Sequence, residues 1–330
     1  MTMTHPSVEI VSMGRFLPDR VVTNRDMESI VETSDEWIFA RTGIRERRIA
    51  PAEMTAAHMG ACAARVALER AGLEPADVDV LIVSTATPDR LLPATACDIQ
   101  ALIGATKAVA FDVIGACTGF LYGLTVAEGY ISTGRGEIAL VIATEKLSAI
   151  VDWEDRATCV LFGDGAGAAV LRSAEGERGI LGTHHQSDGT LADLLYRPAG
   201  GAAIPMDEEV LRNRTHLLRM SGREIFKHAV RAMAESSRQA LDGSGWELKD
   251  VDLVFPHQAN IRIIKATARY AGLPMEKVFV NVDRYGNMSS ATIPVAMDEA
   301  IEEGRLQPGM NLLLVAFGAG LTWGAMTVRW

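Results

Sequence analysis

Residues 108–131, AVAFDVIGACTGFLYGLTVAEGYI, decide how the rest of the chain is read. Residues 108–113 are apolar with β-branched members and read as a buried strand. Gly115 ends it. From Thr118 onward Phe120, Leu124, Ala127 and Ile131 recur at i, i+4, i+7 and i+11, the spacing of one helix face. Cys117 therefore falls in the turn between strand and helix. The first N–H groups of a helix have no partner within it and favour an anion. A cysteine there is expected to have a lowered pKa and a usable thiolate fraction. The same N–H groups can hold the oxyanion formed when a thiolate attacks a thioester. A buried structural cysteine fits the segment as well. Gly119 and Gly123 let the helix approach a neighbour closely.

The chain has 330 residues, of which 48% are hydrophobic and 22% charged. That suits a globular chain with a sizeable core and about two domain-sized units. A net charge of −10 with no offsetting basic run argues against a nucleic-acid partner. Cys62, Cys97, Cys117 and Cys159 are widely spaced, with no CxxC or Cys/His cluster, so no metal is expected and a reducing compartment is. The opening MTMTHPSVEIVSMG lacks a basic region followed by an apolar core, so no leader is expected. No apolar run approaches the roughly 20 residues that span a bilayer, so no membrane partner is expected and the cytoplasm is.

In chain order, residues 8–12 read as a strand and PDRVVTN as a turn. Residues 34–39 read as a helix start capped by Ser34, and 55–71 as a helix ending at Gly72. ARTGIRERRI carries Arg41, Arg45, Arg47 and Arg48 and reads on its own as a solvated charged loop. Residues 77–83 and 136–144 read as strands, and 97–103 as a helix. The second half repeats this order. LEPADVDVLIV is matched by ELKDVDLVFPH, with Asp77 and Asp79 facing Asp250 and Asp252, 173 residues later. AVAFDV is matched by KVFVNV at a shift of 169, and GEIALVIAT by GMNLLLVAF at 173. Three matches in one order point to a duplicated α/β unit. Residues 173–220 show no clear counterpart. At a shift of 170, Cys117 faces Asn287 in RYGNMSSATIP, so both are expected in equivalent turns facing one crevice. His257, in FPHQAN, follows another strand end, a favoured place for reactive groups in α/β sheets.

At this point IGACTGF, DRATCVLFGDGAGAAVL, VFPHQANIRII, VNVDRYGNMSSATIP, AFGAGLTWG and TSDEWIFARTGIRERRI together resemble the β-ketoacyl-[acyl carrier protein] synthase III family, over nearly the whole chain. The resemblance implies a duplicated thiolase-like fold, two pseudo-symmetric halves (residues 1–175 and 176–330) packed as a layered αβαβα sandwich. It implies a homodimer and a catalytic set of Cys117, His257 and Asn287. Backbone N–H groups of Cys117 and Ala319 are implied to hold the oxyanion. Ala319 stands where some relatives have glycine, and a backbone donor tolerates that change. Trp37, Arg41, Arg156 and Asn260 are implied to contact coenzyme A. Leu92 (from the partner subunit), Leu147 and Phe162 are implied to line the acyl channel. Positions matching Lys227 and Arg262 belong to the carrier-docking surface. Arg223 shares a helix face with Lys227, and Lys265 one with Arg262.

The implied reaction joins an acyl-CoA starter to malonyl-[acyl carrier protein] through an acyl-cysteine, releasing CoA and CO2. It needs no cofactor, and its partners are acyl-CoA and the acyl carrier protein. A condensing relative in secondary metabolism would use the same residues. A cysteine hydrolase does not account for Asn287, and a non-enzymatic subunit would lack the nucleophile. The FGDGAG run is a weak dinucleotide fingerprint without the required strand–turn–helix context.

Overall fold

The computed structural model describes residues 7–176 and 178–330, so the leader reading of MTMTHPSVEIVSMG lies partly outside the described residues. Two sheets carry the architecture. The first contains β1 (Val8–Phe16), β2 (Val80–Ser84), β3 (Val109–Val113), β4 (Ile138–Lys146) and β5 (Asp164–Ser173), in the order β1-β5-β4-β2-β3. The second contains β6 (Gly179–Ser187), β7 (Leu253–Pro256), β8 (Asn311–Gly318) and β9 (Thr322–Arg329), in the order β7-β8-β9-β6. A bridge from Val254 to Val278 stands where a fifth strand would lie beyond β7. Strand for strand, the second order repeats the first. The segment 173–220, read as having no counterpart, contains β6, which pairs with β9 as β1 pairs with β5. Its polar HHQS end obscured the match.

Strand alternation builds the layers. Val80 and Ile82 of β2 face inward, onto α4 (Gly119–Ser132) and α7 (Thr292–Glu302). Leu81 and Val83 face outward, onto α2 (Ala56–Ala71) and α3 (Thr95–Ile103). In β8, Leu312 and Leu314 face the same central helices, while Leu313 and Val315 face α5 (Gly222–Ser244) and α6 (Ile261–Ala271). The result is the expected αβαβα sandwich, with α4 and α7 as its fully enclosed middle layer. Gly123 allows α4 to lie against β4: a Cβ there would sit 2.7 Å from Val141 Cγ1.

The repeated aspartates have a structural task. Asp79 accepts the N–H groups of Glu137 and Ile138, and Asp252 accepts that of Asn311, so each carboxylate anchors the start of the neighbouring strand. Two local expectations change. Val21–Thr23, read as turn, is a short strand paired with Glu46–Arg48. Arg47, read as part of a solvated loop, is fully buried. Its guanidinium donates to the carbonyls of Val22 and Val160 and to Asn24 Oδ1, and burial lowers its pKa to about 10.

The halves are also clamped by charge. Asp298 of α7, buried, pairs with Arg15 of β1 and Arg70 of α2, and Glu302 pairs with the same arginines at 2.6 and 2.9 Å. Removing one partner of a buried pair leaves uncompensated charge. Asp298→Ala is expected to lower the unfolding free energy by about 3 kcal/mol. Urea denaturation of both proteins measures it.

Candidate active site

α4 and α7 enter the middle layer in the same way. Each is preceded by a 3-10 turn, Ala116–Thr118 and Ser289–Ala291, whose first residue has positive φ: Ala116 at 44° and Ser289 at 47°. Neither is glycine, so both turns store strain where the chain must reverse from strand to buried helix. The two turns are 173 residues apart, which corrects the internal alignment. The counterpart of Cys117 is Ser290, and Asn287 lies three residues earlier. The short helix Val282–Tyr285 has no partner in the first half and shifts the register there.

Asn287 nevertheless reaches the cysteine, because the halves pair through their backbones. Asn287 N–H donates to the Leu161 carbonyl at 2.8 Å, and Gly163 N–H donates to the Asn287 carbonyl at 3.1 Å. This explains the glycines of FGDGAG. A Cβ on Gly163 would lie 2.5 Å from the Tyr285 carbonyl oxygen, and one on Gly165 would lie 2.7 Å from Met288 Sδ. The run is a contact surface for the second half. Its Asp164 accepts from Ala50 and Ser148 N–H.

His257 sits one residue beyond β7, its N–H donating to the Val315 carbonyl at 2.7 Å. Gln258 replaces the missing strand bonds: its side-chain NH2 donates to the Pro256 and Phe279 carbonyls, and its Oε1 accepts the Asn281 N–H. Cys117, His257 and Asn287 line one cavity of about 90 Å³. Asn287 Oδ1 accepts the Ser289 N–H at 2.8 Å, which leaves its NH2 as the available donor. The Cys117 thiol donates to Ser289 Oγ at 3.6 Å. Gly318 packs so closely that a Cβ there would lie 2.8 Å from Cys117 N, which puts the 318–319 backbone beside the nucleophile.

The expected low thiol pKa is not found. Burial pushes Cys117 up to about 12, helped by the charge of Glu145, against the pull of the Ser289 hydrogen bond. The helix N-terminus opposes this without removing the desolvation. Burial also lowers His257 to about 3, so the imidazole is neutral at neutral pH. Glu145, likewise buried, accepts from Ala86 N–H, Thr87 Oγ1 and Ser290 Oγ, and desolvation raises its pKa.

The cavity opens outward through Gly222, Asn260 and Ile263, which also line a surface groove with Arg41, Arg223, Lys227 and Arg262. Arg41 lies over the Trp37 ring at 4.2 Å from its centroid, and Arg156 at 5.0 Å. Asn260 Oδ1 caps α6 by accepting the Ile263 N–H. Lys227 is ion-paired to Glu224 at 2.8 Å. Lys265 is exposed on α6 but does not line the groove. Phe162 lines the cavity, whereas Leu147 packs behind it with Ile150, Val151 and Leu218. Leu92 is 85% exposed and does not line the cavity of its own chain. Sequence reasoning missed Ile225, Ala229 and Met233, which form one wall. Their spacing of four along α5 was the available signal.

The model for 3-oxoacyl-[acyl-carrier-protein] synthase III matches residues 111–189, and that for the C-terminal part of the same family matches 241–330. A β-ketoacyl-[acyl-carrier-protein] synthase III from Roseiflexus sp. (strain RS-1) is 52% identical over 318 residues, 96% of this chain and 96% of that one. The crystal structure of 3-oxoacyl-[acyl-carrier-protein] synthase III from Aquifex aeolicus VF5 matches with a TM-score of 0.91 at 48% identity, covering 98% of this chain and 100% of that one. The priming β-ketosynthase of the R1128 polyketide pathway matches with a TM-score of 0.91 at 33% identity, covering 98% and 96%.

A thiol pKa near 12 has a direct consequence. The thiolate fraction rises about tenfold per pH unit below the pKa. Iodoacetamide should label exposed Cys97 before Cys117 at about pH 7, and the Cys117 rate should still be climbing at about pH 9. Peptide mass spectrometry reads both rates. A plateau below about pH 8 would mean that the helix dipole outweighs burial.

Proposed function

The chain belongs to the β-ketoacyl-[acyl-carrier-protein] synthase III family, and from that premise we propose how its residues perform the condensation that starts fatty acid synthesis. The observation that carries the assignment of roles is the convergence of Cys117, His257 and Asn287 on one buried cavity that opens at a basic groove.

The starter is acetyl-CoA or a related short or branched acyl-CoA. The Cys117 sulfur bonds to its carbonyl carbon, the carbon–sulfur bond to CoA breaks, and the thiol proton leaves with CoA. The backbone N–H groups of Cys117 and Ala319 hold the passing oxyanion. Malonyl-[acyl carrier protein] then enters by the same tunnel. Its carbon–carboxylate bond breaks, CO2 leaves, and the electron pair becomes an enolate at the thioester. Asn287 NH2 and His257 Nε2–H donate to that oxygen. The carbanion attacks the acyl-cysteine carbonyl, and Cys117 departs as thiolate and takes a proton from solvent. The steps balance without a redox cofactor or a metal.

Trp37, Arg41, Arg156 and Asn260 suit a nucleotide carrying phosphates at the groove mouth, while the apolar tunnel suits the thioester arm. Arg223 and Arg262 beside Arg41 offer an acidic carrier a local basic surface on a chain of net charge −10. Lys227 joins that surface on exchanging Glu224 for the carrier, and Lys265 lies at its margin. A nucleophilic thiol needs a reducing compartment, the reason for proposing the cytoplasm. Among the described residues, no helix is long and apolar enough to cross a membrane.

A homodimer follows from an uncovered edge. β3 ends the first sheet, and Val109 (54% exposed), Ile114 (79%) and Leu92 (85%) line that side. An apolar edge strand of this kind needs a partner. A second copy laid edge to edge would cover it and bring Leu92 towards the neighbour's acyl channel, next to Leu147 and Phe162.

Mixing with acetyl-CoA and a panel of longer acyl-CoAs should add one acyl mass to the wild type and none to Cys117→Ala, by intact-protein mass spectrometry. Malonyl-[acyl carrier protein] should discharge it into a 3-oxoacyl product; discharge by water alone would instead indicate a hydrolase. His257→Ala and Asn287→Ala should each slow condensation about 10²–10³-fold. Val109→Lys combined with Ile114→Lys should halve the mass measured by light scattering, and an unchanged mass would remove the edge-to-edge dimer.

A further inference from the structure

His257 can serve as an enolate donor only if its ring proton is on Nε2, and the structure contains a group placed to ensure that. Thr292 Oγ1 lies 2.7 Å from His257 Nδ1, with both residues buried. The same hydroxyl lies 3.0 Å from the Ser289 carbonyl oxygen. A hydroxyl has one proton and so donates to one of the two. The Ser289 carbonyl already accepts the N–H of Thr292 itself. Nδ1 has no such second partner among the described residues.

We propose that Thr292 is a positioning residue that sets the tautomer of His257, its hydroxyl donating to Nδ1 and so keeping the ring proton on Nε2. The contact follows from the duplicated fold. His257 matches Ser84, 173 residues earlier at the end of β2, and Thr292 matches Gly119 at the start of α4. A Cβ on Gly119 would overlap the Ser84 hydroxyl, so the strand-end side chain meets the first residue of the buried helix in both halves. In the first half that meeting leaves no room for a side chain on the helix. In the second half it holds an imidazole and a hydroxyl at hydrogen-bond distance. The thiol of Cys117 points to Ser289 Oγ, so it does not require Nε2 as an acceptor at rest.

The inference rests on the reading of His257 as enolate donor, and its test separates the two. The ¹⁵N spectrum of the full-length, histidine-labelled protein, with His257 assigned by its loss in His257→Asn, reports which ring nitrogen is protonated. Wild type and Thr292→Ser should show Nε2–H, and Thr292→Val should lose that preference. Valine matches threonine in shape, and the amount of acyl-cysteine formed reports an intact site. Decarboxylation of malonyl-[acyl carrier protein] should fall about 10²-fold in Thr292→Val and recover in Thr292→Ser, while acylation of Cys117 stays within about threefold. An Nδ1–H tautomer in the wild type, or an unmoved tautomer in Thr292→Val, overturns the proposal. A moved tautomer with unchanged decarboxylation supports the proposal and overturns the donor role of His257.

Discussion

Everything in the site depends on two helices, α4 and α7, that must begin side by side between two sheets. Neither has a face towards water, so each is apolar all round and each is entered directly from a strand end. The reversal is tight enough to force Ala116 and Ser289 into positive φ. Such strain persists only where the surroundings over-determine it. Here the surroundings are the pairing of Asn287 with Leu161 and Gly163, and the glycine contacts along β5. One packing requirement therefore brings a cysteine from one half to a histidine and an asparagine from the other.

The same enclosure sets the electrostatics. Burial raises the thiol pKa of Cys117 and lowers that of His257, so the resting pair is neutral. A neutral imidazole donates one hydrogen bond, from one nitrogen, which makes the tautomer matter. In a site shielded from water, a donor aimed at a developing enolate is worth more than the same donor in solvent. Charge is kept at the mouth, where Arg41, Arg223 and Arg262 meet solvent, and the tunnel wall between mouth and cysteine is formed largely by Ile225, Ala229 and Met233. A ligand with an anionic head and a thioester tail fits that order.

The amino-acid order determined what depends on local pattern. Strand and helix periodicity, the Thr55 cap and Gly72 stop of α2, and the Asp79/Asp252 repeat were all legible, because each is a short-range requirement of backbone geometry or hydrogen bonding. The strand–Cys117–helix turn was legible for the same reason. So was the residue set Cys117, His257 and Asn287, once the motifs were met together.

Only the tertiary structure decided what depends on enclosure and on distant partners. Arg47 looked solvated because a charged run carries no mark of burial, and its acceptors Val22, Asn24 and Val160 come from three separate segments. The direction of the Cys117 pKa was missed because helix position is local, whereas desolvation is a sum over the whole fold. The register of the repeat failed at Asn287 because the helix Val282–Tyr285 has no counterpart in the first half. The contact between Thr292 and His257 joins residues 35 positions apart, and it exists because the fold sets every strand end of this kind against the first turn of a buried helix.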